Sequence, residues 1–328
     1  MSEELANIPK LPGISAFRKM TPARRREMWL SLLFISPWLF GFLAFTFFPT
    51  LFTLLFSFMD LKNNTSIVRA LSAPQFIGFR NYIQYLNDPQ VRSSLWITVR
   101  FALIALPIGI GFPLGLALLM NSKYLMGKDI FRSLFYMPYI IPLVAAIFVW
   151  GGMLNPQSGW INRALEMMGT PKGSLPQWVN DANTVYPAYV IMGIWGVGQA
   201  MLIMLAGLQG VPTELYDAAN MDGANTWQQF WNVTFPMISP VIFFNLVLNI
   251  VGLFQYFLVP LVLNSGSGAP GGATLFYNVY LYQTLFRFQD MSYGSTLAWG
   301  LFIVILIVTI TLFATSKYWV YYAGESRS

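Results

Sequence analysis

The chain has 328 residues, of which 56% are hydrophobic and only 10% are charged, with a formal net charge of +6. Soluble domains carry about 25% charged residues, so these numbers exclude a water-covered globular protein and favour one polytopic membrane domain. The sequence contains neither Cys nor His, which excludes disulfides, thiolate or imidazole metal sites and Ser-His or cysteine catalysis.

Long apolar segments dominate the chain, and a helix that crosses a bilayer needs about 20 apolar residues. The sequence predicts an all-α protein with six transmembrane helices, at residues 30–58, 94–120, 132–154, 185–208, 241–263 and 293–317. The Tyr-rich segment 273–286 is predicted to be an external helix at the membrane interface rather than a seventh span.

A short basic arm precedes the first span and predicts the orientation of the chain. Cytoplasmic segments are enriched in Lys and Arg, and this arm contains Lys10, Arg18, Lys19, Arg24, Arg25 and Arg26. The basic residues are therefore a topology signal and not a nucleic-acid site. The predicted organisation is a cytoplasmic arm at 1–29, a six-span domain at 30–320 and a cytoplasmic tail at 321–328.

One connection, the predicted cytoplasmic loop 210–240 between spans four and five, has the signals of two short helices. Pro212 suits the first turn of a helix, and Gly223 can supply the left-handed residue that ends it. Thr226 and Gln229 predict a capping box for a second helix. Pro236 and Pro240 then mark the junction with span five.

The charge of this loop departs from its surroundings. It contains Glu214, Asp217 and Asp222 and no basic residue, although cytoplasmic loops are usually positive. The departure favours docking to a protein over binding to anionic lipid. A solvated helical hairpin with no partner is the alternative that the pattern alone leaves open.

The same segment resembles a known motif. Asp217-Ala218-Ala219, three residues, Gly223, nine residues and Val233-x-Phe235-Pro236 is similar to the coupling-loop motif of ABC importer permeases, which reads Glu-Ala-Ala, three residues, Gly, nine residues, Ile-x-Leu-Pro. All spacings match, and each departure keeps the charge or the apolar character. Segments that begin at Phe76, Gly127, Gly159, Ala206 and Tyr293 resemble the first, longer permease of the maltose and glycerol-phosphate type.

This resemblance implies the type I ABC importer permease fold in a bacterial or archaeal plasma membrane. The implied partners are a second homologous permease, two ATPase subunits that dock on the loop, and an external substrate-binding protein. It implies that Asp217, Ala218, Ala219 and Gly223 couple the chain to the ATPase, together with Glu214, Asp222 and Pro236. ATP would be used by those partners, because no Lys here precedes Ser or Thr as a P-loop requires. The chain itself is expected to hold no cofactor, metal or catalytic residue.

Polar residues on span five indicate a substrate path. Asn245, Asn249, Gly252 and Tyr256 recur at spacings of four, three and four, so they share one helical face. Polar side chains in a membrane usually face the bundle interior or a cavity, and the resemblance implies that this span lines a sugar site. Trp195 and Gln199 on span four are further candidates. Hydrogen bonding between helices is the alternative for both asparagines.

Three other functions compete with a sugar importer. An ion-coupled secondary transporter commonly uses intramembrane carboxylates, and the six predicted spans contain none. A membrane enzyme needs convergent acids, bases or metal ligands, which a chain without His or Cys supplies poorly. An ABC permease for a non-sugar solute stays open. The one charge well inside a span, Arg100, is expected to extend its side chain toward the membrane surface.

Overall fold

The computed structural model describes residues 21–61 and 75–322, and the chain divides into two units, Met1–Phe56 and Ser57–Ser328. The described part of the first unit belongs to one long helix, α1, over Pro22–Ser57, with a π-helical turn at Leu43–Phe47. Its side chains are open to the surroundings: Phe34 is 83% exposed and Phe45 is 79% exposed. Such a surface is suited to lipid rather than water.

Helix α1 begins earlier than the predicted first span at 30–58. Thr21 caps it by accepting a hydrogen bond from the Arg24 backbone N–H, and Pro22 occupies its first turn, where a missing N–H costs nothing. Arg24, Arg25 and Arg26 therefore belong to the helix and not to a separate arm. Residues 1–20 of the predicted arm and 323–328 of the predicted tail lie outside the described residues.

The regular elements among the described residues of the second unit are helices and one small antiparallel ribbon. The ribbon pairs β1, Met59–Asp60, with β2, Gln75–Phe76. The helices follow in chain order: α2 Arg80–Asn87, α3 Pro89–Asn121, α4 Lys128–Ile140, α5 Leu143–Met153, α6 Trp160–Met167, α7 Val185–Trp195, α8 Gly198–Gln209, α9 Thr213–Met221, α10 Thr226–Gln229, α11 Phe235–Phe254, α12 Leu258–Leu263, α13 Tyr277–Tyr282 and α14 Met291–Trp319.

Among the described residues, four helices are long and apolar enough to cross a membrane: Pro22–Ser57, Pro89–Asn121, Thr226–Leu263 and Met291–Trp319. The count reaches the predicted six only if α4 with α5, and α7 with α8, each form one bent span. The spans predicted at 132–154 and 185–208 are therefore each divided into two helices. The α4–α5 pair bends by 99° and the α7–α8 pair by 55°.

The first break has a local cause. Pro142 disfavours helical backbone at the residue before it, and Ile141 is extended with ψ 129°. At the second break α7 ends on Gly196, with φ −93° and ψ 11°. The chain then restarts as α8 two residues later.

Helix α3 is the centre of the buried core in the second unit. Its Phe101 packs in one apolar cluster with Tyr189 of α7, and its Leu116 packs in a second with Met201 of α8. Val91 joins a third cluster that includes Leu297 of α14. The core thus holds α7, α8, α11 and α14 around α3, and this arrangement positions the candidate site.

The segment 273–286, predicted to be an external interfacial helix rather than a seventh span, contains the short helix α13, which is too short to cross a membrane. A π-helical turn at Gln283–Arg287 follows it. Tyr277 and Val279 are both 0% exposed, and the Tyr277 N–H donates to Thr98 Oγ1 of α3 at 2.9 Å. The start of α13 therefore packs against α3, whereas Phe286 at the end of the segment is 66% exposed.

A carboxylate joins three helices near the start of α3. Asp88 Oδ1 accepts from the Gln90 N–H at 2.8 Å and caps α3. Its Oδ2 accepts from the hydroxyls of Tyr280 on α13 at 2.7 Å and Tyr293 on α14 at 2.6 Å. Burial raises the pKa of the Asp88 carboxyl, but the hydrogen bonds from Tyr293, Tyr280 and the backbone outweigh burial and hold this pKa below its ordinary value.

We expect Asp88→Asn to lower the Tm of the detergent-solubilised protein near neutral pH, because an amide supplies a weaker acceptor and brings an unwanted donor. The stabilisation should be fully present above the ordinary carboxyl pKa of about 3.9. It should be lost as the pH falls through the lower pKa of the folded state, so the two Tm values should converge in acid. Asp129→Asn is the control, since that side chain is 96% exposed. A difference in Tm between the wild type and Asp88→Asn that does not change with pH would contradict the expectation.

Candidate functional site

The segment between α8 and α11 forms the two short helices that the sequence predicts. Helix α9 begins at Thr213. Pro212 is the residue just before the helix, one position earlier than the first-turn place that the sequence predicts for it. Its end is the glycine motif expected at Gly223: φ is +74°, the Gly223 N–H donates to the Asn220 carbonyl, and the Ala224 N–H donates to the Ala219 carbonyl. These two bonds form a Schellman motif, which favours glycine at this position.

The capping box of the second helix, α10, lies one residue before the prediction. Asn225 Oδ1 accepts from the Gln228 N–H at 2.9 Å, and Gln228 Oε1 accepts from the Asn225 N–H at 2.8 Å. Thr226 is thus the first helical residue and not the cap, and Gln229 is free to bond elsewhere. Asn is at least as favourable an N-cap residue as Thr. Either neighbour could therefore cap α10, and in the structure Asn225 does so.

Pro236 and Pro240 do not interrupt the helix that follows. A π-helical turn at Phe230–Thr234 joins α10 to α11, so the helical backbone is continuous from Thr226 to Phe254. Pro236 lies in the first turn of α11, where its missing N–H is tolerated. The predicted junction is therefore a continuous connection between the hairpin and the long helix.

The outer surface of this hairpin is open. Its side chains at Glu214, Asp217, Ala218 and Asp222 are exposed, and Ala219 is half-buried. Within the described ranges, none of the three carboxylates forms an ion pair. Met221 is 89% exposed and Trp227 is 69% exposed. An acidic, small-residue surface flanked by bare apolar side chains is an arrangement typical of a protein contact.

Five of the six predicted substrate-path residues line one cavity. Gln199 of α8 and Asn245, Asn249, Gly252 and Tyr256 on or just after α11 line a space of about 270 Å³. The sixth candidate, Trp195, lines an adjoining cavity of about 790 Å³ that shares Gly252 and Tyr256. The single helical face inferred from the spacing is therefore a cavity wall.

The two asparagines bond within their own helix. Asn245 Nδ2 donates to the Val241 carbonyl and Asn249 Nδ2 donates to the Asn245 carbonyl, both at 3.0 Å. Asn245 is 3% exposed. Asn249 Oδ1 lies 3.2 Å from the place that a Cβ on Gly109 of α3 would take, so α3 approaches the amide closely. Asn249 therefore presents its carbonyl oxygen toward the space between α3 and α11.

Aromatic rings that the sequence did not single out close one side of this space. The Tyr256 ring lies 4.8 Å from Phe101 of α3 and 5.7 Å from Tyr189 of α7, centroid to centroid. In the larger cavity, Trp150 of α5 meets Trp195 edge to face at 6.0 Å. Phe101, Tyr189 and Trp150 stand in apolar runs without a distinguishing pattern, so only the packing of separate helices reveals them.

The cavities are mostly apolar, with a few uncharged polar groups. None of the described residues that line the three spaces around Tyr256 is acidic or basic. Arg100, the charge inside α3, places its guanidinium carbon 5.7 Å from the centre of the Tyr186 ring, a cation–π distance. Amide groups and ring faces line these spaces, and such groups can hydrogen-bond hydroxyl groups and cover C–H surfaces.

Comparison with known proteins identifies the family. Residues 107–323 match the family described as binding-protein-dependent transport system inner membrane component. The probable ABC transporter permease protein YesP of Bacillus subtilis is 34% identical over 317 residues, 96% of this chain and 99% of that protein. The arabinooligosaccharides transport system permease protein AraP of Bacillus subtilis is 33% identical over 283 residues, 85% of each chain.

A solved structure gives the same fold. In the crystal structure of a bacterial alginate ABC transporter in complex with an alginate pentasaccharide-bound periplasmic protein, one chain aligns with a TM-score of 0.74 and 20% identity. The alignment covers 89% of this chain and 95% of that one. The resemblance inferred from the Asp217–Pro236 motif is thus confirmed, and the chain belongs to the binding-protein-dependent transport system inner membrane components.

Proposed function

We propose that this chain is one of two permease subunits of an ATP-driven importer and forms half of the translocation pathway for a carbohydrate. The observation that carries the proposal is the continuity of the helical backbone from Thr226 to Phe254, through α10, the π-helical turn and α11. This helix contains the second half of the exposed hairpin and the wall of the cavity at Asn249 and Gly252. A displacement of the hairpin therefore acts directly on the pathway, which is what an ATP-driven permease requires.

The substrate class follows from the cavity and from the relatives. Sugars offer many hydroxyl groups and apolar ring faces, and the cavity offers the amides of Gln199 and Asn249 beside the rings of Tyr256 and Trp195. AraP, with 33% identity, is named for arabinooligosaccharide transport. A sugar, an oligosaccharide or a glycerol-phosphate-like solute fits this chemistry.

The partners follow from the same proposal. Two ATPase subunits would dock on residues 210–240 and use ATP, a second homologous permease would complete the pathway, and an external binding protein would deliver the solute. The docking contacts would be made by Asp217 and Ala218, which are exposed on α9, and by the half-buried Ala219 beside them. Both termini and the hairpin would then face the cytoplasm of a bacterial or archaeal cell, in agreement with the basic residues at the start of α1.

Co-purification and uptake together test the proposal. The chain should be extracted from its native membrane in complex with an ATPase and a second permease. Proteoliposomes that contain this complex and its binding protein should accumulate oligosaccharides from an arabinan or starch hydrolysate only when ATP is present. Uptake driven by an ion gradient, without an associated ATPase, would instead establish a secondary transporter. ATP-driven uptake of a non-sugar solute would overturn the substrate class alone.

Replacement of Asn249 tests the pathway. We expect Asn249→Leu to reduce sugar uptake about tenfold, because one hydrogen bond to a hydroxyl contributes roughly 1–1.5 kcal/mol and 1.4 kcal/mol is a factor of ten. Leu has the branched outline of Asn and suits a helix that is otherwise apolar, so assembly with the ATPase should be retained. The measurements are initial uptake rates and co-purification. Normal uptake would mean that Asn249 serves only packing against Gly109.

A further inference from the structure

Side-chain hydrogen bonds tie the first hairpin helix to the helix that follows the glycine turn. The Tyr216 hydroxyl of α9 lies 2.9 Å from Thr234 Oγ1, at the end of the π-helical turn. Nearer the turn, Gln229 Nε2 donates to Asn220 Oδ1 at 2.8 Å and to the Ala224 carbonyl at 2.9 Å. Thr234 is only 6% exposed, whereas the acidic side chains of the hairpin are open.

The Tyr216–Thr234 bond bypasses two irregular turns in the backbone. The first is the turn at Gly223, where a Cβ would meet no atom within 4 Å beyond its chain neighbours, so no other element packs against the turn at that residue. The second is the π-helical turn Phe230–Thr234, a wide turn of the kind that often occurs at functional sites. The bond joins α9 directly to the residue before α11.

The residues around this pair are packed against the protein core. The Tyr216 ring packs against the buried cluster that includes Leu116 of α3 and Leu208 of α8, and Phe235 packs against the same cluster. Thr234 is followed at once by α11, which reaches Asn249 after 15 residues, about 22 Å along a helix. A displacement of α9 can therefore be transmitted to the cavity wall through packed residues and the single helix α11.

We propose that Tyr216 and Thr234 are a positioning pair that makes α9 and the start of α11 move as one body. The pair does not contact the ATPase or the sugar. It delivers the displacement of the hairpin to α11 instead of letting the Gly223 turn and the π-helical turn absorb it. This inference rests on the proposed ATP-driven function, and it adds residues that the coupling motif does not contain.

The test removes each hydroxyl and keeps the side-chain volume, with Tyr216→Phe, Thr234→Val and the double variant. The chain has no Cys, so a single cysteine at Leu248, which lines the cavity, reports its shape through the rate of maleimide labelling. In the complex with the ATPase and second permease, we expect vanadate trapping with ATP to change this rate at least threefold. Each single variant should lose most of that change while the ATPase stays bound and hydrolyses ATP.

The double variant and a control decide between a pair and two separate effects. If the two hydroxyls act through their mutual bond, the double variant should lose no more of the change than either single variant. Tyr124→Phe is the matched control, since Tyr124 is 82% exposed and outside the hairpin, and it should behave as the wild type.

Three outcomes would overturn the pairing: an unchanged response in both single variants, additive losses, or release of the ATPase, which would assign the residues to docking. The labelling readout does not require the identity of the sugar. A wild-type complex that responds to ATP but imports no sugar would therefore contradict the proposed substrate and leave the pair standing.

Discussion

Replacing Gly223 with Asp is expected to abolish uptake and to release the ATPase from the membrane complex, while the chain still inserts and folds. Position 223 has φ +74°, and a left-handed conformation costs a non-glycine residue on the order of 1–2 kcal/mol. The open space around it means that the folded chain alone accommodates the side chain. The large effect would arise against the docked partner, where a fourth negative charge joins Glu214, Asp217 and Asp222.

Companion variants separate charge from shape. Gly223→Asn adds a neutral side chain of nearly the same size, and Asn tolerates the left-handed region. If charge dominates, Gly223→Asn should keep most of the uptake that Gly223→Asp loses. Asp217→Glu, which introduces the acid of the family motif, should retain activity, whereas Asp217→Lys should not. The measurements are co-purification of the ATPase and uptake in proteoliposomes. Wild-type transport by Gly223→Asp with the ATPase bound would show that this hairpin is not the coupling element.

Local signals predicted the hairpin well where one residue alone satisfies the geometry. Gly223 is such a residue, because the Schellman motif needs φ above zero and no neighbour supplies it as easily. The capping box was misplaced because Asn225 and Thr226 are both good caps, and Gln228 and Gln229 stand three residues after each of them. The sequence offers two registers one residue apart, and only the contacts of Gln229 with Asn220 and Ala224 select between them.

The cavity was half predictable for a comparable reason. The face shared by Asn249, Gly252 and Tyr256 follows from the helical repeat alone, and these three residues line one cavity. The rings of Phe101 and Tyr189 line an adjoining cavity that shares Asn249 and Tyr256, and the packing of three helices that are distant in sequence brings them there. Hydropathy indicates the apolar segments but not the bends of 99° and 55° within two of them, since a break of one or two residues hardly changes a 20-residue average.

One of these bends brings two helices into unusually close contact. After the break at Gly196, α8 begins at Gly198 against the backbone of α4. A Cβ at position 198 would lie 2.4 Å from the Phe135 carbonyl oxygen and 2.7 Å from the Tyr136 Cα. Both are backbone atoms, so no change of side-chain rotamer relieves the clash. The start of α8 can accept a side chain only if it moves away from α4.

We therefore expect Gly198→Ala to lower the Tm of the solubilised protein by roughly 2–12 °C, since overpacking costs about 1–3 kcal/mol and each kcal/mol shifts the Tm of a chain of this size by about 2–4 °C. Uptake should fall as well, because Gln199 on α8 lines the cavity and would be displaced together with the helix. Gly111→Ala on α3 is the matched control: nothing lies within 4 Å of its Cβ, and Ala favours a helix over Gly by about 0.5–1 kcal/mol. That control should keep or raise the Tm. An unchanged Tm in Gly198→Ala would mean that α4 and α8 of the solubilised protein do not approach each other as closely as the structure shows.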